Sequence, residues 1–142
     1  MRRLFRVRED SLVTDKYLAY GRLIRDGKIL FIRRQPSSFL GGRWELPGGT
    51  VEPGERPAET VVREFAEETG LTVHVTGERG THSWDDVAGR PMRIHAAVYA
   101  LAEEVPGEVV LDPEEHDAFV WCAAEEAAEL DLAEHFRRAL ED

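Results

Sequence analysis

Along this chain, short runs that suit strands give way once to a clear helical period. Tyr17 to Arg25 (YLAYGRLIR) and Lys28 to Arg34 (KILFIRR) predict two strands, and Asp26-Gly27 between them predicts a two-residue hairpin turn. Gln35 to Arg43 carries Pro36, Ser37, Ser38, Gly41 and Gly42 and predicts a loop, followed by a short extended piece at Trp44-Glu45-Leu46. Over residues 57–69, Ala58, Val61, Val62, Phe65 and Thr69 recur at helical spacing and predict one buried stripe. Pro57 suits the first helical position and Gly70 a left-handed stop.

Beyond the helix, Leu71 to Val75 predicts a strand. A second hairpin is predicted from Thr81 to Trp84 and from Met92 to Leu101, turning over Asp85 to Pro91. His116 to Cys122 predicts a short last strand, and Ala123 to Leu140 predicts helix in two pieces broken near Asp131. Residues 1–16 are polar and poorly patterned, an arm or a first edge strand. This order predicts an α/β fold, a mixed β-sheet sandwiched between α-helices, with 1–142 as one domain.

Composition and charge narrow the function. The chain has 142 residues, 42% hydrophobic and 32% charged, an ordinary balance for a packed domain. Its single cysteine, Cys122, excludes an intrachain disulfide and a cysteine-built zinc site, and suits a buried, inert thiol. No apolar run reaches the roughly 18 residues of a membrane span, and MRRLFRVRED is basic without the apolar run of a signal peptide, so a cytoplasmic protein is expected.

The formal net charge is −10 and it is unevenly spread: residues 1–50 carry 11 Lys/Arg against 5 Asp/Glu, and residues 101–142 carry 2 against 14. A chain this acidic is a poor non-specific binder of polymeric nucleic acid. It can bind a small phosphorylated ligand if divalent cations stand between acids and phosphates. The acidic helical tail reads as a solvated cover.

The candidate chemistry lies in Gly49 to Leu71, GTVEPGERPAETVVREFAEETGL. At 100° per residue Glu64, Glu67 and Glu68 fall within an arc of about 100°, beside the apolar stripe. Three carboxylates at one spot repel one another. A hard divalent cation with oxygen ligands removes that cost, and the lack of clustered Cys or His favours Mg²⁺ or Mn²⁺ over Zn²⁺. Gly48, Gly49 and Gly54 let the preceding loop approach a phosphate closely.

This stretch resembles the Nudix box, Gly-x5-Glu-x7-Arg-Glu-U-x-Glu-Glu-x-Gly-U with U a bulky aliphatic. Gly49, Glu55, Arg63, Glu64, Glu67, Glu68, Gly70 and Leu71 all fall in place. Phe65 stands where an aliphatic is usual and keeps that position apolar. Arg43-Trp44-Glu45-Leu46-Pro47-Gly48-Gly49 and Glu115-His116 with Trp121 resemble the family's flanking segments, and the likeness runs over about residues 17–125.

The resemblance implies a Mg²⁺- or Mn²⁺-dependent hydrolase of a nucleoside diphosphate linked to another group. It implies metal ligation by Glu64, Glu67, Glu68 and the Gly49 carbonyl, and a Glu55–Arg63 pair bracing loop against helix. Family members draw the general base either from the box or from a later loop. The two candidates are therefore Glu67 within the box and Glu115 outside it, with Glu114 and Asp112 behind Glu115. Arg34 is the expected contact to substrate, and Trp44 and Phe39, with Trp84, are candidates to stack on a base. His82, His95 and His116 read as strand residues rather than ligands.

The substrate is reached by elimination. Val87 stands near where ADP-ribose relatives carry proline, Gly89 where dinucleoside polyphosphate relatives carry tyrosine, and the NADH and coenzyme A markers are missing. A nucleoside triphosphate of the MutT-like class is left. Hydrolysis of ADP-ribose, a nucleotide sugar or a dinucleoside polyphosphate is the alternative within the family. A catalytically silent nucleotide sensor and an isopentenyl diphosphate isomerase are the alternatives outside that activity. Many relatives dimerise, and the arm 1–16 is the segment available to such an interface.

Overall fold

The computed structural model describes residues 13–86 and 88–140. Most of the arm, residues 1–12, lies outside the described residues, as do Val87 and residues 141–142. Strand β1 (Thr14–Arg25) runs into β2 (Lys28–Arg34) through Asp26 and Gly27, at φ 53° and 77°. This is the doubly left-handed turn that Asp-Gly favours between twisted antiparallel strands. Two short strands follow, β3 (Trp44–Glu45) and β4 (Gly48–Thr50), then helix α1 (Pro57–Thr69). The chain continues through β5 (Val73–Asp85), β6 (Met92–Glu103), β7 (His116–Cys122) and two short helices, α2 (Ala124–Ala127) and α3 (Glu134–Ala139).

The sheet order is β3-β2-β1-β6-β5, with β4 also paired to β1 and β7 to β2. It is mixed: β1 runs parallel to β6 from Thr14↔Met92 to Leu23↔Leu101, and the other pairings are antiparallel. Alternation along β1 sends Ala19 and Leu23 to one face and Tyr20 to the other. The first face packs against Val61 and Phe65 of α1 with Leu71 and Leu101, and the second against Ala127, Leu132, Phe136 and Ala139. Helices therefore cover both faces. Gly21 sits where a Cβ would press into Phe65 at 2.7 Å, so α1 lies close on the sheet. Among the described residues no helix is long and apolar enough to cross a membrane.

Several boundaries differ from expectation for physical reasons. The strands expected at Leu71 to Val75 and Thr81 to Trp84 are one strand, β5, whose register shifts at Val75/Gly77 and Glu78/Gly80. The glycines that read as a break are absorbed as irregularities in a continuous ladder. Strand β1 starts at Thr14 rather than Tyr17, because parallel pairing to β6 supplies partners that no alternation reveals. Strand β4 was not anticipated: Gly48 and Gly49 offer no side-chain pattern, yet pair with Tyr20 and Ala19. In α1, Thr60 is fully buried, while Ala58 and Val62 are only half-buried. Cys122 is buried, and burial pushes its thiol pKa up.

Candidate active site

The site is assembled along the carboxyl-terminal half of α1, where β4 delivers two glycines against the helix. The Glu59 carboxylate caps the helix by accepting the Arg56 N–H at 2.8 Å, and Gly70 ends it at φ 74°. Between these ends, Glu64 and Glu68 stand one turn apart and face β4. The Glu68 carboxylate accepts the Gly48 N–H at 2.9 Å, and a Cβ on Gly49 would lie 2.5 Å from Glu64 Oε2. Only a glycine lets backbone and carboxylate come this close.

The Glu55–Arg63 brace is present. Arg63 Nε donates to Glu55 at 2.7 Å, a second nitrogen reaches Glu55 at 3.0 Å, and the Thr50 carbonyl accepts at 3.2 Å. The Thr60 hydroxyl donates to the same Glu55 carboxylate at 2.7 Å. These donors hold Glu55 down at about 2. Arg63 also touches Glu64 at 3.2 Å and Glu67 at 3.3 Å, so one guanidinium links loop to helix. Replacing Arg63 by Met is expected to lower the midpoint of urea denaturation, because the charged hydrogen bonds that tie the Glu55 loop to α1 are lost.

The acids differ in setting. Glu68 is 8% exposed, and burial drives its pKa up to about 9; the Gly48 N–H opposes this, and the Glu64, Glu45 and Glu115 carboxylates add to it. Glu64 is shifted upward as well, mainly by burial. Glu67 is exposed and leans on Arg63. Glu115 arrives from the loop before β7, and Glu68, Glu115 and His116 place ligand atoms within 4.8 Å of one another. Desolvated carboxylates gathered this tightly need protons or a cation, and the donor set is oxygen-rich with one imidazole. That fits a hard divalent ion. Glu114 and Asp112 remain exposed, and the Asp112 carbonyl accepts the Glu115 and His116 N–H groups, so Asp112 shapes the turn.

Two residues of the corner were not expected there from sequence. Glu45, 6% exposed, accepts from Arg34 Nε at 2.9 Å and bonds His116 Nε2 at 2.8 Å. His116 is not merely a strand residue: it is 3% exposed and sits in the acidic corner, with Nδ1 unpartnered. An acid inside the apolar segment Trp-Glu-Leu was the available signal for Glu45, since buried acids are rare unless paired.

Arg34, anchored by Glu45, lines a cleft of about 660 Å³ together with Gly48, Gly49 and Phe39. Phe39 stands at its lip, 59% exposed. Trp44 is not among the residues lining the cleft; it packs against the second core and under the Arg33 guanidinium, 5.6 Å from the ring. Trp84 does line the cleft, stacked on His135. His95 sits on β6 between Asp15 and Ser83, away from the acids.

The comparisons agree with this geometry. The family model described as NUDIX domain matches residues 16–142. The chain is 41% identical over 110 residues to a CTP pyrophosphohydrolase of Escherichia coli (strain K12), covering 77% of this chain and 76% of that protein. It is 40% identical over 90 residues to an ADP-ribose pyrophosphatase of Methanocaldococcus jannaschii, covering 63% and 51%. In structure it resembles the MutT protein from Methanosarcina mazei Go1, with TM-score 0.79, 28% identity, and coverage of 91% and 92%. With the box residues of α1 drawn together against β4 and the match running from β1 to the end of the chain, this chain belongs to the NUDIX domain family and is a Nudix pyrophosphohydrolase.

Proposed function

We propose that the chain hydrolyses a nucleoside triphosphate to a nucleoside monophosphate and pyrophosphate. One observation carries this reading. Gly48 and Gly49, which lie against Glu68 and Glu64 of the acidic corner, also line a cleft whose walls bear Lys16, Arg34, Arg43, Arg90 and Arg138 beside the acids Asp85, Asp86 and Glu134, an excess of cations on a chain of net charge −10. Acids at one end that suit a cation, and bases along the walls, suit a polyphosphate with a nucleoside attached. The similarity to a CTP pyrophosphohydrolase supports the same reading.

In this proposal Glu64, Glu68 and Glu67, with the Gly49 carbonyl, hold Mg²⁺ or Mn²⁺, and Glu115 and His116 stand beside them. A divalent ion held there would supply neutralisation of phosphate charge and a more acidic attacking water. Glu115 accepts the proton of that water; Glu67 is the alternative base. Arg34, fixed by Glu45, binds a phosphate, and Arg63 with Glu55 keeps the loop seated. Phe39 bounds the cleft mouth. Trp44, absent from the cleft wall, supports β3 instead of stacking on the base. The substrate is a small nucleotide in the cytoplasm, with neither a nucleic acid polymer nor a membrane as partner.

Chromatographic identification of the products, with Mg²⁺, across nucleoside triphosphates, ADP-ribose, nucleotide sugars and dinucleoside polyphosphates tests this. Release of pyrophosphate from a triphosphate is expected at the highest kcat/KM. Preferential cleavage of ADP-ribose, or of any other class in the panel, overturns the proposal.

A further inference from the structure

At the end of the cleft formed by β5 and α3, three buried nitrogens have no hydrogen-bond partner: Nε of Arg43, Nε2 of His82 and Nε2 of His135. All three residues line the cleft, and none belongs to the acidic corner. Buried polar atoms are nearly always paired, so three orphans around one cavity mark where a polar partner docks.

The groups are also held in place. His135 lies flat on Trp84, with ring centroids 4.1 Å apart and planes 18° from parallel, and its other side meets Phe136 at 4.1 Å. Arg43 is tethered through Nη2 to Asp131 at 3.4 Å, which leaves Nε directed elsewhere. Burial pushes the His135 pKa down to about 4, with His82 and Arg43 adding to the effect, so its imidazole is neutral near pH 7. A neutral imidazole offers one donor and one acceptor, whereas Arg Nε only donates. With a proton on Nε2 of each ring, the two imidazoles join Arg43 Nε and the trio presents three donors at this end of the cleft.

The complement is an edge rich in acceptors, with a carbonyl next to a ring nitrogen. Cytosine presents O2 and N3, and guanine O6 and N7; adenine carries no carbonyl. Resting on the triphosphate reading above, we propose that His82, His135 and Arg43 are specificity-determining residues that select a carbonyl-bearing nucleobase over adenine. The phosphates then lie toward Arg34 and Gly49, and the base lies toward Trp84.

The test compares kcat/KM for CTP, GTP, UTP and ATP in the unaltered protein and in His135→Phe, which keeps a ring against Trp84, His82→Phe and Arg43→Met. The unaltered protein is expected to favour at least one carbonyl-bearing base over ATP by roughly tenfold or more, and the His variants to narrow that preference to about threefold. A preference for ATP, or a preference unchanged in all three variants, overturns the proposal. Where His135→Phe fails to fold, His82→Phe and Arg43→Met decide alone.

A second readout needs no turnover, so it separates this inference from the hydrolase proposal. The monophosphate of the favoured carbonyl-bearing base, taken from cytidine, guanosine and uridine monophosphates, is expected to move the imidazole proton resonances of His82 and His135 more than adenosine monophosphate does. Equal shifts, or none, reject the assignment even if the chain cleaves triphosphates.

Discussion

Glu115→Gln is expected to lower turnover of the best triphosphate by at least about a hundredfold at saturating Mg²⁺, with a smaller loss for Glu67→Gln. The two carboxylates occupy different settings. Glu67 faces solvent and its oxygens lie 3.3 and 3.4 Å from Arg63, a contact that stabilises its charged form but turns it toward the brace. Glu115 comes from outside the helix and joins Glu68 and His116 within 4.8 Å. Its backbone is pinned by the Gln35 N–H on its carbonyl and by its own N–H on Asp112, both at about 3 Å. A carboxylate fixed by its main chain, with its side chain free at the acid corner, is suited to receive a proton. Single-turnover rates at saturating metal separate this role from metal affinity. A larger loss in Glu67→Gln reverses the assignment, and losses below a hundredfold in both remove it.

The second large effect concerns stability without metal. Burial raises the folded-state pKa of Glu68 from the ordinary carboxylate value of 4.5 to about 9. The folded protein thus holds a proton that the unfolded chain releases above about pH 4.5. Stability from this group is full below that pH and is lost as pH rises toward 9. In EDTA the unaltered protein is expected to lose thermal stability from pH 5 to pH 9. Glu68→Gln, which mimics the protonated acid and keeps an oxygen for the Gly48 N–H, is expected to flatten that decline. At pH 8.5 the variant should melt about 5 °C or more above the unaltered chain, of the order of 1–2 kcal/mol. Added Mg²⁺ should raise the unaltered protein more than the variant. Calorimetry across this range checks both statements; parallel pH profiles for the two proteins contradict the burial argument.

Glu55 acts in a different window. Its pKa of about 2 contributes stability above its unfolded value that is lost as pH falls toward 2, so it leaves the neutral-to-alkaline slope untouched.

What the sequence made legible follows from how local each signal is. Helix α1 matched residues 57–69 because period, Pro57 and Gly70 all act within one element. The hairpin at Asp26-Gly27 and the two helical pieces around Asp131 were legible for the same reason. The box set Arg63, Glu64 and Glu68 along one helix, where spacing fixes direction, and Glu55 in the loop that Arg63 reaches.

Cross-strand neighbours were not legible. Glu45 and His116 lie 71 residues apart and meet because β3 and β7 both pair with β2, a fact of topology and not of pattern. Trp44 illustrates the same limit: an aromatic beside the glycine loop turned into the core because Leu132 of a distant segment bridges to it. The base-reading cluster draws Arg43 from a loop, His82 from β5 and His135 from α3, so no local stretch announces it.

The parallel pairing of β1 with β6 has a consequence for synthesis. Each partner of β1 in that ladder lies 78 positions later in the chain. While the ribosome is still making β6, β1 can form its hairpin with β2 and accept β4, but its other edge stays open. Non-local closure of this kind slows folding and leaves an unpaired edge available to neighbouring nascent chains. Aggregation in the cell should therefore respond more to how fast the segment through Glu103 is delivered than to the final stability of the domain.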